Sequence, residues 1–420
     1  MKKMIRIVSL ILAALLCASI LAACGPSTPP TTENKISTLE EEKGKKLTIM
    51  IPGHNANDET LWQNQVVAEF CKQYPDVTVE FVTADWSNWE EKLMAAYRSG
   101  EPIDLINDGV NNNPRFPLNG ITQPIDPYVN MDNPNLKKAV MDEIFYFNNN
   151  HYVAASEVNV AVLYYNKNLF QQEGLEDPEE LYAKGEWNWD KFVKMAKKLT
   201  DSSANRWGFA TEYPYLFYGS NATSILRLDE NSKYVMNIDD PALTEALEML
   251  QDGTFDSEWS GWEGNPLLSF QKGQAAMFAD FQWQEASILA GKKFGLTNFE
   301  YGVVPMPYGP NNTQNLNIVH SAGWAIGQGS DCPAHVGKLI DMLVDGHAAA
   351  QAVTNAALPA EHVALYTQMA TNPFCVNTRD SAIGGGYDLA NAVADGKSIS
   401  QAIEEFKPEF QRKVNEANGK

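Results

Sequence analysis

The groups in this sequence best equipped to meet another molecule are ring faces set beside short polar side chains. Ten tryptophans stand in 420 residues. Several occur where the chain reads as loop or helix entry: Trp62 beyond His54-Asn55, Trp86, Trp259 and Trp262 either side of Gly261, Trp324, and a tyrosine, Tyr387, after three glycines. An aromatic face offers apolar area at low entropic cost, and fixed polar groups beside it select partners by hydrogen bonds. Small-molecule sites mix these two kinds of residue. Bond-making chemistry has no such signature. The chain lacks a Gly-x-Ser-x-Gly elbow, a His-Glu-x-x-His pair and a Cys/His pair at metal spacing. The acids between residues 229 and 240 lack the glycine a calcium loop needs at its sixth position. The expectation is a binding protein with no catalytic residues, no metal and no cofactor.

The elements that must hold these residues follow an α/β pattern. Residues 47–51 form a short apolar run ended by Pro52-Gly53, a buried strand. Val67, Phe70, Cys71 and Tyr74 recur at helical spacing over residues 57–74. Residues 77–82 alternate as a strand, Trp89, Leu93, Ala96 and Tyr97 mark a helix stopped by Gly100, and residues 103–106 form a third strand. This order predicts a mainly parallel sheet with flanking helices. Ligands of such sheets bind beyond the carboxyl ends of the strands, in the loops at 54–61, 84–87 and 107–113. Farther on, residues 160–165 and 301–305 read as strands, and residues 226–236 as a hairpin. Asn188 caps a helix over 189–199, residues 241–250 are helical, and Ser398 with Gln401 forms a capping box. Trp89 belongs to an apolar stripe, and Trp187 and Trp189 frame a helix start; all three are expected to be structural.

The first 23 residues combine a basic start, an apolar run and a small-residue exit, which reads as a signal peptide. Leu21-Ala22-Ala23-Cys24 resembles the bacterial lipobox, in which the cysteine is diacylated and becomes the mature N-terminus; two acyl chains anchor stably. Residues 24–46, rich in Pro, Thr, Ser, Glu and Lys, read as a flexible spacer. The expected location is the outer face of a bacterial cytoplasmic membrane. The formal charge is −21 and becomes three units more negative without Lys2, Lys3 and Arg6. Such a surface argues against nucleic acid as a partner. Cys71 is expected to be a buried thiol, and Cys332 and Cys375 are the one pair a disulfide could join.

The succession of segments resembles the extracellular solute-binding proteins of ABC importers, in the family that includes the maltodextrin-binding protein. The resemblance rests on Gly100-Glu101-Pro102-Ile103-Asp104-Leu105, Tyr165-Asn166-Lys167-Asn168-Leu169-Phe170, Trp189-Asp190-Lys191-Phe192 and the run from Phe270 to Met277. Val303-Val304-Pro305-Met306-Pro307 and Ser321-Ala322-Gly323-Trp324 follow in the same order. One residue is inserted between Pro102 and Asp104, and Asn188 and Lys191 replace the usual Thr and acidic residue. The resemblance implies a two-lobed periplasmic-binding-protein-like fold with hinge strands crossing between lobes: 47–158 plus about 322–365 as lobe 1, about 159–321 plus 366–420 as lobe 2. It implies a monomer that captures a carbohydrate, an oligosaccharide above all, by hinge closure and hands it to ABC permease subunits. A lipid-anchored hydrolase, or a surface sensor or adhesin, is the alternative. It also implies site residues: Trp283 as a stacking ring with Asp280 on its loop, Asp108 after the third strand, Asn159 near the hinge, and Tyr213 or Tyr215. With them stand Asn55, Trp62, Trp86, Trp262, Trp324 and Tyr387 from the first reading.

Overall fold

Three parallel strands open the fold, Lys46–Met50 between Thr78–Phe81 and Leu105–Gly109, with helices Trp62–Gln73 and Trp89–Ser99 as their connections. This is a computed structural model, and it describes residues 36–256, 259–261, 264–374 and 380–419. The signal segment, Cys24, Trp262 and Cys375 lie outside the described residues. The first helix starts at Trp62 rather than at residue 57. Asn55 Oδ1 accepts the Asn57 N–H at 3.1 Å and Asp58 Oδ1 accepts the Thr60 N–H at 3.0 Å. Such local bonds compete with the helical ladder and hold the preceding residues as turns. Gly100 ends the second helix at φ +79°, a left-handed conformation that glycine adopts without strain.

Residues Leu39–Lys420 form one compact unit. Its central sheet is continuous. Ser260–Gly261, Trp207–Thr211, Ala275–Phe281, Ala154–Asn166, Asn317–Gly327, Leu105–Gly109, Lys46–Met50 and Thr78–Phe81 follow in that spatial order. The parallel pairs expected from the sequence sit toward the two ends. The two long strands in the middle, here the first (Ala154–Asn166) and second (Asn317–Gly327) crossing strands, are antiparallel to each other and to both flanks. The mixed sheet follows from chain path: a strand that crosses from one half to the other must serve as edge partner in both.

Two clusters of apolar side chains pack on the sheet. The first is chiefly aliphatic in the first half, with Leu47, Ile49, Leu105, Ile106, Leu339 and Ile340 buried, and continues into the second half through Phe270, Phe278 and Ile288. The second is built on rings: Phe192 stands edge-on to Phe209 at 5.1 Å and to Trp259 at 5.4 Å, and Phe209 to Phe217 at 5.6 Å. Trp187 and Trp189 are buried there as expected, with Trp189 Nε1 donating to Ser220 Oγ at 3.0 Å. The Asn188 side chain accepts the Lys191 N–H, and Ser398 Oγ accepts the Gln401 N–H.

Two buried carboxylates tie distant elements together. Glu42 accepts the N–H groups of Ala334 and His335 and the His335 ring nitrogen, capping the 23-residue helix Pro333–Asn355. Glu285 accepts from Tyr301 and Tyr366 hydroxyls, at 2.8 and 2.5 Å, and meets His362 Nδ1 at 2.5 Å, which holds the helix Ala360–Met369 against the second half. Cys332 is a free, buried thiol whose Sγ approaches the Lys46 carbonyl at 3.6 Å. Cys71 is half-buried, more open than its helical spacing suggested.

Candidate functional site

Where the chain passes between halves, His320 of the second crossing strand stands directly opposite Asn159 of the first. Residues opposed across an antiparallel pair share a face. On that face His320 meets Trp283, ring centroids 5.6 Å apart and planes at 82°, and Phe281 at 6.0 Å. Trp283 follows the strand Ala275–Phe281 and precedes the helix Gln284–Lys293, and it is 38% exposed while Phe281, the ring it packs on, is buried. The ring contacts continue through Phe281 to Tyr213 at 5.6 Å, Tyr213 to Tyr215 at 5.6 Å and Tyr215 to Tyr387 at 5.5 Å. Four of the expected residues therefore gather on one wall: Trp283, Tyr213, Tyr215 and Tyr387. Tyr215 is buried and backs the half-buried Tyr213 and Tyr387.

Asp280 lies within this wall but not on its surface. It is fully buried; Oδ1 accepts the Phe281 N–H at 2.6 Å, while Oδ2 has no hydrogen bond of proper geometry, although Gln284 and Trp283 lie close. Burial pushes its pKa up to about 7, and Glu212 adds to the rise. The expected loop contact is thus an interior carboxyl, because Asp280 lies within the strand Ala275–Phe281, whose two faces are both covered.

Asn159 is buried at the crossing, and its amide donates to Glu157 Oε1. Glu157 acts on two imidazoles, His320 and His347, each held below its ordinary pKa mainly by burial with Glu157 opposing. His347 is 5.3 Å from Trp62, on the first half. Trp62, His347, Glu157, His320 and Trp283 thus follow one another across the crossing through ring contacts and charge. His320 and Glu157 were not singled out from the sequence. The signal was one residue upstream of the Ser321-Ala322-Gly323-Trp324 motif.

Other expected residues are placed differently. Asp108 is buried and its oxygens are engaged by the Gly109 N–H at 2.9 Å, Asn112 at 2.8 Å and Asn113 at 3.2 Å, so it folds its own loop. Burial pushes its pKa up to about 6. Trp324 is buried behind Trp62, 6.5 Å away edge-on. Trp259 is core, with Nε1 donating to Asp252 at 2.9 Å. Asn55 is exposed and closes a turn, and His54 stacks on Phe81 and bonds Asn64. Trp86 is 71% exposed and lies over Gly53, where a Cβ would come within 2.5 Å of its Nε1.

Two halves joined by crossing strands, with an exposed ring and buried acids at the crossing, define a two-lobed protein with a candidate small-molecule site. Residues 55–345 match the bacterial extracellular solute-binding protein family, and the chain belongs to it. A putative binding protein of Brucella abortus (strain 2308) is 25% identical over 269 residues, 60% of this chain and 60% of that protein. The chain thus spans about 60% of the length of the curated relatives it matches. Among solved structures, UgpB from Mycobacterium tuberculosis in complex with glycerophosphocholine superposes with a TM-score of 0.69 at 18% identity, over 88% of this chain and 99% of that one. An ABC substrate-binding protein from Listeria monocytogenes in complex with cycloalternan gives 0.66 at 20% identity, over 89% and 98%. Both likenesses establish the fold.

Proposed function

We propose that this protein is the substrate-binding component of an ABC importer, that it takes a carbohydrate, preferentially an oligosaccharide, and that it binds without turning its ligand over. The observation that carries the reading is the ring-bearing wall at the crossing, with Trp283 open to solvent beside His320. Flat rings suit the apolar faces of sugar rings, and Asn159, Glu157 and the tyrosine hydroxyls suit their hydroxyls. Of the two structural relatives' complexes, the one with cycloalternan supports the carbohydrate class, whereas the other holds glycerophosphocholine, which is not a sugar.

We divide the chain near the crossing pair, 47–158 with about 322–365 against about 159–321 with 366–420. The bond from His362 to Glu285 argues for moving the helix Ala360–Met369 to the second lobe. A ligand touching both lobes favours the closed state by its differential affinity and no more. The closed monomer then docks on permease subunits, and acylated Cys24 with the spacer keeps it at the membrane.

Thermal unfolding and calorimetry against mono-, di- and oligosaccharides test this. The expected result is a rise in Tm for one oligosaccharide class, with that sugar recovered intact and a more compact scattering profile. No heat and no change of shape across the panel overturns it, and consumption of the sugar moves the reading to a hydrolase. Cys24→Ser is expected to release the protein from the membrane; retention removes the lipid anchor.

A further inference from the structure

Successive residues of a strand point to opposite faces. Asn159 faces the ring wall, so Val158 faces away from it, and there it lines a cavity of about 320 Å³. The cavity is walled from both sides of the crossing. Lys137, Lys138, Gln351 and Asn355 come from elements packed with the first half, and Gln282 and Ala370 from elements packed with the second. Its volume falls at the lower end of the range for small-ligand pockets.

The charge of this cavity is opposite to that of the chain. The protein carries −21 overall, yet no Asp or Glu lines the cavity, and its charged residues are both lysines. Lys137 is half-buried, makes no side-chain hydrogen bond or ion pair among the described residues, and is held below its ordinary pKa by that burial; its charge is felt by His347 at the crossing. An ammonium kept partly out of water without a counter-charge is costly, and an anion placed beside it recovers much of that cost. The amides of Gln282, Gln351 and Asn355 add donors, and Val158 and Ala370 supply apolar wall.

We infer that this cavity behind the crossing strands is a second binding site, for a small organic carboxylate with an apolar body, separate from the ring-walled site. Because both halves contribute walls, its shape changes whenever they rotate about the crossing strands. An occupant therefore shifts affinity at the front site, and the front ligand shifts affinity at the rear by the same factor.

Calorimetry of the full chain with benzoate, and with benzamide as its neutral analogue, tests the site without knowledge of the front ligand. Benzoate is expected to bind saturably at one site, and benzamide at least tenfold more weakly. Lys137→Met is expected to weaken benzoate at least tenfold, and Ala370→Trp, which fills the space, to do the same. Trp283→Ala is expected to leave benzoate binding unchanged. The inference is overturned if benzoate gives no saturable heat, if benzamide binds equally well, if both cavity variants bind benzoate as the parent does, or if Trp283→Ala abolishes the binding. A failed sugar screen would leave this result intact, so the two readings fail separately.

Discussion

The two sides of the crossing strands differ in kind. The front carries rings, Glu157 and the buried acid Asp280; the rear carries lysines, amides and aliphatic wall, beside a carboxylate that is fully engaged. On the front, Asp280 Oδ2 and His320 Nδ1 are buried and make no well-formed hydrogen bond among the described residues. At the rear, Glu285 is satisfied by two tyrosines and a histidine. Polar groups left short of partners cost stability, whereas a completed network holds its elements in place. The difference separates an incompletely satisfied polar face from a joint that fastens a helix.

Four substitutions sharpen or break that contrast. Glu285→Ala is expected to cost about 3–5 kcal/mol, since it strands three buried donors. Urea unfolding measures it, and a loss below about 1 kcal/mol would mean the joint is not holding the Ala360–Met369 helix. Asp280→Asn comes next, through pH. Its pKa stands near 7 in the folded protein against 3.8 for the free side chain, so the native state binds the extra proton between these values. Stability from this group is therefore greatest below about pH 4 and is lost as pH rises through about 7. The full shift corresponds to about 4 kcal/mol. The Asn variant should lose less stability than the parent between pH 5 and pH 8, and equal slopes in unfolding curves would place the charge elsewhere. Trp283→Ala should weaken ligand binding by about 1–3 kcal/mol, with folding stability little changed because the ring is partly open. Unchanged affinity for the confirmed ligand would take Trp283 out of the site. Asn188→Ala, far from both sides, should cost about 1 kcal/mol of stability as a lost helix cap and nothing in binding.

Local signals gave the sequence its reach. The strands at Lys46–Met50 and Tyr301–Pro305, the hairpin of Leu226–Leu228 with Tyr234–Met236, and the Asn188 cap were legible because each depends on neighbours in the chain. The first helix starts five residues later than its apolar period implies, because Asn55 and Asp58 bond the backbone of their own turns. Trp283, Tyr213, Tyr215 and Tyr387 are each expected from the sequence as ligand contacts; that their rings form one series through Phe281 is visible only in the structure. What could not be read was depth. Trp259, Trp324 and Asp108 have the same local look as surface residues, and only long-range packing buries them. His320 was missed because its role comes from strand pairing with Asn159, which no local pattern carries.

The continuous sheet has a consequence for synthesis. The plank between Ala154–Asn166 and Leu105–Gly109 is Asn317–Gly327, made long after both of its neighbours. A chain halted before residue 317 would present those two strands as bare edges, the kind of template that recruits other chains. About 150 residues, 167–316, are made between the first crossing strand and the slat it waits for, so protection of the nascent chain during that interval is a requirement of its topology.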